Sequence, residues 1–400
     1  NNAGVGIFDF KQVVENYVSA DNMAANFSEY KGVTTTDDTP HPLHLIDKYS
    51  KNKKAARWLT IQFKTQYTDA NGDVVTPEAL FTVSVDYQLF NGYLKYSDIL
   101  TMGTGATANN FGYDLSNFNL SSSSDKFLTN APATQYANLE DYGTLAFLAP
   151  NDNLEYIKLT YYDSSGSPLG NESINRTVTN GAYTNFSTEI SSRLLYFGCF
   201  PANLQNWSST FQALVSAGTI QGGSIVVQAF DDSSNRIAKQ YTININCPDT
   251  KGFESIRLCW LNQWGVWDYY TFTKKSVRSI STKGSTYEQL AGTWNEAAYR
   301  VDSFKGGKKS FRVNATEKIT MNSDFVSESE NDMFEELINS PEVYILEGYQ
   351  TDGTYSALNQ YVKPVRLTTS SFTKKTVAND KLIQYSFEVE KSKTLRTQSV

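Results

Sequence analysis

Alternating apolar and polar residues, closed by short polar turns, recur along the chain. A period of two places successive side chains on opposite faces of a strand, and Gly or Asn suits a tight reversal. The three segments and their turns are Trp58 to Tyr67 with Asn71-Gly72, Tyr156 to Tyr162 with Ser165-Gly166, and Ser224 to Phe230 with Ser234-Asn235. Each segment predicts a β-hairpin, and together they predict sandwich-like domains of antiparallel strands.

Helical spacing is confined to short segments. Apolar residues at i, i+3, i+4 and i+7 form one face of a helix, and this spacing runs from Phe10 to Val18 and from Trp207 to Val215. Gly218 follows the second segment, where a left-handed C-terminal residue belongs. We therefore expect a short amphipathic helix in each segment.

A third helix is predicted for residues 327–340. Ser327 and Glu330 have capping-box spacing, and Pro341 ends the pattern. The apolar stripe between them consists of Met333, Phe334, Leu337 and Ile338. This stripe should pack against a sheet of C-terminal strands.

Three runs near the C-terminus predict strands, and a terminal arm follows them. The runs are Val343 to Glu347, Val362 to Leu367 and Leu382 to Val389. In the last run, the residues expected to face the core are Ile383, Tyr385, Phe387 and Val389. Residues 390–400 have little apolar content, so we expect them to project outward as an arm that either lies disordered or orders only against a neighbouring subunit.

The chain of 400 residues is expected to hold at least two cores, because single cores stop growing at about 250–300 residues. We predict an N-terminal helix and connecting segment at 1–50, a β-rich sandwich-like region at 51–250 and a C-terminal β-domain at 251–400. The boundary falls in the polar cluster from Cys247 to Gly252. Residues 101–142 show no sustained period and predict a long irregular loop.

Composition supports a mainly β fold and excludes some partners. Aromatic residues make up 14% of the chain, with 25 Tyr and 23 Phe against 2 His. Tyr, Phe, Thr and Val favour strands. The net charge of -7 argues against a nucleic-acid surface, and no apolar run is long enough for a membrane helix. We expect neither nucleic acid nor membrane as a partner.

The sequence gives little support to catalysis or to a metal site. His41 and His44 have the spacing of two ligands, but no third ligand completes a zinc shell, and the segment leads into the apolar run that follows. There is no G-x-S-x-G elbow, and both histidines lie in one tetrapeptide, so a catalytic triad is not expected. Gly306 to Ser310 predicts a hairpin turn with solvated lysines. We expect no catalytic residues, no metal and no cofactor.

The three cysteines are Cys199, Cys247 and Cys259. They are too few for a disulfide framework, and we interpret them as small buried residues. A disulfide between Cys247 and Cys259 is left open.

The densest aromatic feature is IRLCWLNQWGVWDYYTF, from Ile256 to Phe272. It predicts a hairpin whose turn uses Asn262 and Gly265, with most rings in the core. An aromatic patch that contacts a subunit or a glycan is the alternative for some of them. The candidate contact residues are Trp260, Trp264, Trp267, Tyr269 and Tyr270.

Several segments resemble one group of viral proteins. CWLNQWGVWDYYTFTKK, ITMNSDFVSESENDMFEELINSPEVYIL and ANDKLIQYSFEVEKSKTLRTQ are similar to the C-terminal region of large virion structural proteins of marine and Bacteroidetes-infecting tailed phages. The opening NNAGVGIFDFKQVVENYVSADN resembles the same proteins, whereas the middle of the chain has no such likeness. The resemblance implies a place in the virion and a structural role, and it implies no site residues.

Two functions of different classes follow from these observations. The first is a non-enzymatic structural subunit of the tail, baseplate or neck, whose partners are copies of itself and other virion proteins. The second is a glycan-binding adhesin or carbohydrate-binding protein, with host-surface glycans as partners. A glycoside hydrolase hidden in the middle region ranks third, since paired carboxylates have no sequence signature.

Overall fold

The computed structural model of the chain describes residues 9–24, 42–64, 66–76, 81–82, 87–93, 95, 127–148, 154–175, 194–246, 252–293, 297–347, 361–377, 382–393 and 395–399. Strand accounts for 42% of these residues and helix for 12%. The prediction of a mainly β protein with a few short helices is confirmed.

The chain forms two compact units. The first consists of Asn1–Cys247, Trp260–Tyr269 and Gly348–Tyr361, and the second of Pro248–Cys259, Tyr270–Glu347 and Val362–Val400. The first break in the chain lies between Cys247 and Pro248, in the polar cluster noted above. The return to the first unit at 260–269 lies inside the aromatic segment, where composition gives no sign of it.

The strands of the first unit are mostly short and antiparallel. Its strands are β1 (Tyr49–Lys51), β2 (Ala56–Leu59), β3 (Gln62–Phe63), β4 (Tyr67–Thr68), β5 (Val74–Val75), β6 (Phe81–Thr82), β7 (Tyr87–Phe90), β8 (Thr134–Ala137), β9 (Leu145–Leu148), β10 (Tyr156–Tyr162), β11 (Pro168–Asn175), β12 (Leu194–Phe197), β13 (Ser224–Phe230) and β14 (Tyr241–Ile245). One sheet has the order β1-β12-β9 and another the order β11-β10-β13-β14-β8. Strands β9 and β12 are buried throughout, so the core of this unit includes the three-stranded sheet.

The second unit is built on one larger sheet. Its elements, with the hairpin that leads into it, are β15 (Ile256–Leu261), β16 (Trp267–Phe272), β17 (Val277–Gln289), β18 (Gly307–Asn322), β19 (Val343–Leu346), β20 (Val362–Leu367), β21 (Ser386–Lys391) and β22 (Leu395–Ser399). The order is β16-β15-β19-β20-β21-β18-β17, and β22 also pairs with β18. The strands predicted at 343–347 and 362–367 are present, and the third, predicted at 382–389, is shifted to 386–391. All four residues assigned to its core face are buried.

Four hairpins close with the same five-residue turn. The first residue is Asp or Asn, and its side-chain Oδ1 accepts hydrogen bonds from the backbone N–H groups of the third and fifth residues. The fourth residue has a positive φ between 61° and 89°. The turns begin at Asp69, Asp163, Asp231 and Asn262. The predicted hairpins β10–β11 and β13–β14 are thereby confirmed. The first is confirmed at its turn, between β4 and β5, whereas the run from Trp58 to Tyr67 is divided among β2, β3 and β4.

The helices differ in part from expectation. The first segment forms one turn, α1 (Lys11–Val14), and its apolar residues Phe10 and Val13 are exposed. The second divides into α2 (Pro201–Trp207) and α3 (Ser209–Ser216), because the Ser208 side chain accepts from Phe211 N–H at 2.8 Å and caps a new helix. Gly218 has the expected positive φ of 69°.

The third helix is confirmed as α4 (Asn331–Asn339), preceded by a 3-10 turn at Glu328–Glu330. The capping box between Ser327 and Glu330 is formed. Phe334 is fully buried in an aromatic cluster of the second unit, with its ring centroid 5.0 Å from that of Tyr270 and 5.4 Å from that of Phe387. The predicted packing of the helix against the C-terminal strands is therefore present.

The prediction of an irregular loop at residues 101–142 is wrong for the part of that range that the structure describes. Residues 101–126 lie outside the described residues, but β8 lies within 127–142 and pairs in parallel with β14. Its partner is distant in the chain, so no hairpin pattern marks this strand.

The terminal arm is also corrected. Residues 395–399 form β22, which pairs antiparallel with β18 of the same chain at Arg312, Asn314 and Ala315. A strand is held by its backbone hydrogen bonds, so a segment poor in apolar residues can add to an open sheet edge. Low apolar content was therefore a poor guide to whether this segment joins its own sheet.

Candidate functional site

The aromatic segment forms the predicted hairpin. β15 and β16 are neighbours in the sheet, and the turn between them uses Asn262 and Gly265 as expected. Every residue of both strands except Tyr270 is buried. The hairpin therefore has no solvent-facing side, unlike an ordinary antiparallel pair at a surface.

The five candidate contact residues lie along this hairpin. Trp260, Trp264, Trp267 and Tyr269 are at most 7% exposed, and Tyr270 is half-buried. A sugar stacks on the open face of an aromatic ring, and the four buried rings offer no such face. We assign them to the interior and assign no glycan or subunit contact to them.

His44 belongs to the interior of the first unit. Its Nδ1 lies 2.9 Å from the Tyr269 hydroxyl oxygen, and the Thr144 hydroxyl lies 2.9 Å from the same oxygen. The His44 ring meets Trp267 edge-on, with 4.7 Å between centroids. Asn203 donates to the His44 carbonyl at 3.3 Å. These contacts make His44 a packing and hydrogen-bonding residue, and His41 lies outside the described residues.

A buried carboxylate, Asp21, forms a second polar group in the same unit. Its Oδ2 accepts from the Tyr196 hydroxyl at 2.9 Å, and its backbone carbonyl accepts from Trp267 Nε1 at 2.8 Å. Its Oδ1 accepts from the backbone N–H groups of Lys53 and Lys54. Burial raises the pKa of Asp21, and these hydrogen bonds oppose the rise. Asp21 thus connects three separate stretches of chain.

The turn of the aromatic hairpin packs closely on residues 91–93. Tyr93 N–H donates to the Gln263 carbonyl at 2.8 Å. A Cβ atom on Gly265 would lie 1.7 Å from the Asn91 carbonyl oxygen, and one on Gly92 would lie 2.4 Å from the Gln263 carbonyl oxygen. Only glycine permits this approach of the two backbones.

Asp268, on β16, is another buried carboxylate that the sequence analysis did not identify. The Thr129 hydroxyl donates to its Oδ1 at 2.5 Å. Burial raises the pKa of Asp268 to about 7, although the hydrogen bond from Thr129 favours the charged form. Asp268 is the one charged residue in a strand whose other residues, apart from Thr271, are aromatic, and this isolation is the signal that could have identified it.

Thr129 also lines a cavity of about 200 Å³. The lining includes Phe127, Asn130, Lys239 and Tyr241. The Tyr241 ring packs edge-on against Phe127, with 6.0 Å between centroids. The cavity is small for an organic ligand, since such pockets usually enclose about 300–1,000 Å³.

Metal-ligating residues do not gather in the part of the chain that the structure describes. No group of three or more His, Cys, Asp or Glu side chains suited to a metal ion occurs there. Cys199 and Cys259 are buried, and burial raises the pKa of both thiols. Cys247 lies outside the described residues, so the structure does not test a disulfide between Cys247 and Cys259.

A largely exposed element of the second unit is the C-terminal ribbon, residues 277–322, in which β17 and β18 pair antiparallel. Nearly every residue of β17 is exposed, as is much of the first half of β18. Six large apolar side chains of the ribbon are 55–70% exposed: Ile280, Leu290, Tyr299, Val301, Phe304 and Phe311. The turn predicted at 306–310 is displaced: the turn lies at 303–306, and residues 307–310 already belong to β18, where they pair with β17.

Ion pairs connect the base of the ribbon to neighbouring parts of the second unit. Arg278 on β17 pairs with Glu254 at 2.5 Å and with Glu317 on β18 at 2.8 Å. Lys391 on β21 pairs with Glu317 at 2.8 Å. Hydrogen bonding to Arg278 lowers the pKa of Glu254, and that to Lys391 and Arg278 lowers the pKa of Glu317.

Comparison of the chain with protein-family models, with curated proteins and with solved structures finds no match. Among the helices described here, none has the length and apolar content needed to cross a bilayer.

Proposed function

We propose that the chain is a non-enzymatic structural subunit of a tailed-phage virion, placed in the tail, baseplate or neck, where it acts through contacts with other subunits. The observation that supports this most is the C-terminal ribbon. A two-stranded ribbon with solvent on both faces buries little apolar surface of its own. Large apolar side chains clustered on such an element are usually covered by a partner.

Two further observations support the same role. The N-terminal and C-terminal segments resemble phage virion structural proteins, as described above. The buried polar groups Asp21, His44 and Tyr269 are closed off from solvent, and their described contacts join distant parts of one unit. Groups arranged in this way stabilise a fold, whereas catalysis needs access for a substrate.

Reconstruction of purified virions that contain the chain tests the proposal. We expect density for symmetry-related copies in the tail, baseplate or neck, with the ribbon in contact with a neighbouring subunit. Mass spectrometry of the same particles should find the chain in a fixed ratio to the other structural proteins. Absence from purified particles, together with specific binding of the isolated chain to a glycan array, would replace the structural role with that of an adhesin.

A further inference from the structure

The distal ribbon, which we define as residues 283–312, combines exposed apolar side chains with basic charge. It holds six basic and three acidic residues, a net charge of +3. The whole chain carries -7, so the residues outside the distal ribbon carry -10. The distal ribbon is therefore opposite in charge to the rest of the molecule, and it contains five of the six exposed apolar residues named for the ribbon.

The described part of the connection between the two strands is held in shape by its own hydrogen bonds. Thr293 N–H donates to the Arg300 carbonyl at 3.0 Å, and Arg300 N–H donates to Thr293 Oγ1 at 2.9 Å. The Tyr299 hydroxyl donates to the Ala291 carbonyl at 3.1 Å. Lys309 Nζ donates to the Phe304 carbonyl at 2.9 Å. An element ordered before binding loses less entropy when a partner arrives.

The open edge of β17 is a poor site for pairing with a strand of a partner protein. β17 is the last strand of its sheet, and it carries Arg278, Lys283 and Glu288. Charged side chains on an edge strand oppose the addition of another strand. Docking through the side chains of the distal ribbon is favoured over strand addition along the edge.

We propose that the distal ribbon of one copy docks on a second copy of this chain, on residues outside that copy's own distal ribbon, which together carry a negative net charge. The inference rests on the proposed structural role and names the partner of the ribbon. Charge complementarity selects the second copy, because a +3 element meets a molecule whose remaining residues carry -10. The two contacting surfaces differ, so the contact is heterologous, and repetition builds a ring or a filament.

Sedimentation of the purified full-length chain over a range of concentrations tests this inference. The wild-type chain should self-associate, and association should weaken as salt rises from 50 to 500 mM, because screening reduces the attraction between unlike charges. Two double variants of the distal ribbon probe its two properties. Lys283→Glu with Arg312→Glu reverses charge, and Leu290→Ser with Phe304→Ser removes apolar surface.

Each variant has a matched control elsewhere in the chain. Lys64→Glu with Arg236→Glu makes the same change of charge at exposed positions of the first unit. Leu382→Ser with Phe325→Ser removes the same side-chain types at 65% and 56% exposure in the second unit. All four proteins should keep the wild-type melting temperature. The distal variants should associate at least about tenfold more weakly, and the controls should stay within about twofold of wild type.

Three results would overturn the inference. The first is a wild-type chain that remains monomeric at every concentration. The second is equal association of the distal variants and their controls, and the third is a monomeric chain that binds a duplex oligonucleotide through the same basic residues. A chain that is monomeric alone but present in virions would reject the second copy as partner and leave the structural role intact.

Discussion

The two hairpins β15–β16 and β17–β18 follow one another in the chain and have opposite environments. The first has Trp, Tyr, Leu and Ile on both faces and is buried on both. The second has Ser, Thr and Lys on both faces of β17 and is exposed along most of that strand. A sequence pattern that predicts a hairpin therefore does not show whether that hairpin is buried in the core or exposed at the surface. The composition of its two faces, taken together, decides between scaffold and contact surface.

The largest expected contrast concerns one phenylalanine from each hairpin. Phe272 on β16 is 1% exposed and lies 5.8 Å from the Phe387 ring, whereas Phe311 on β18 is 55% exposed. Phe272→Ala should lower the free energy of unfolding by about 3–5 kcal/mol, because it leaves a cavity in the aromatic cluster. Phe311→Ala should cost less than about 1 kcal/mol. Urea unfolding measures both, and equal losses would contradict the assignment of the ribbon to the surface.

A second contrast compares one glycine from each hairpin. Gly265 and Gly307 have similar positive φ values of 72° and 79°. An added Cβ meets the Asn91 carbonyl in the first case and nothing within 4 Å in the second. Gly265→Ala should cost roughly 2–4 kcal/mol from strain and overpacking, and Gly307→Ala about 1–2 kcal/mol from strain alone. Thermal unfolding of both variants tests this, and a smaller loss for Gly265→Ala would show that the turn is not tightly packed.

The contribution of buried Asp268 to folding stability should fall as pH rises, whereas that of the ion-paired carboxylates at the base of the C-terminal ribbon should fall as pH drops. The folded-state pKa of Asp268 is raised to about 7, so the stability tied to its protonated form is fully present near pH 4 and is lost as pH rises through 7. Asp268→Asn keeps a neutral group of similar shape. At pH 8 it should be more stable than wild type by on the order of 2 kcal/mol, and at pH 4 nearly equal. Equal pH profiles of the two proteins would show that Asp268 is ionised in the folded state.

The smallest expected change in stability comes from breaking the ion pairs at the base of the C-terminal ribbon. Arg278→Met removes ion pairs to Glu254 and Glu317, whose pKa values are lowered in the folded state. The associated stability is present at neutral pH and is lost as pH falls through these lowered values. We expect a loss below about 1 kcal/mol at pH 7, since the pairs are partly solvated. The loss should disappear in acid or in high salt, and persistence there would indicate packing by the arginine stem.

Features governed by local rules could be predicted from sequence. The capping box of Ser327 and Glu330 depends on residues three apart, and the hairpin turns depend on five consecutive residues. The facing of Phe387 and Val389 follows from the period of two in a single strand. In each case the deciding interaction lies within a few residues of the pattern that predicts it.

Features governed by distant partners could not be predicted. The strand 395–399 depends on an open edge at Arg312 to Ala315, and β8 depends on β14. The burial of Asp21 and Asp268 depends on Tyr196 and Thr129, which no spacing rule connects to them. The exposure of the C-terminal ribbon is of the same kind, because alternation of residue types does not reveal whether a second layer covers the strand.

The parallel pairing of β8 with β14 has a consequence for how the first unit folds. The four hairpins closed by the five-residue turn join neighbouring residues, and such elements form in about 1–10 μs. The pairs β8–β14 and β1–β12 join residues more than 100 positions apart, so the entropy of closing long loops opposes them. We expect the hairpins to form first and the long-range pairings β8–β14 and β1–β12 to form later, so that these pairings limit the folding rate of the unit. Strand edges left open during that interval are the sites at which newly made chains can aggregate.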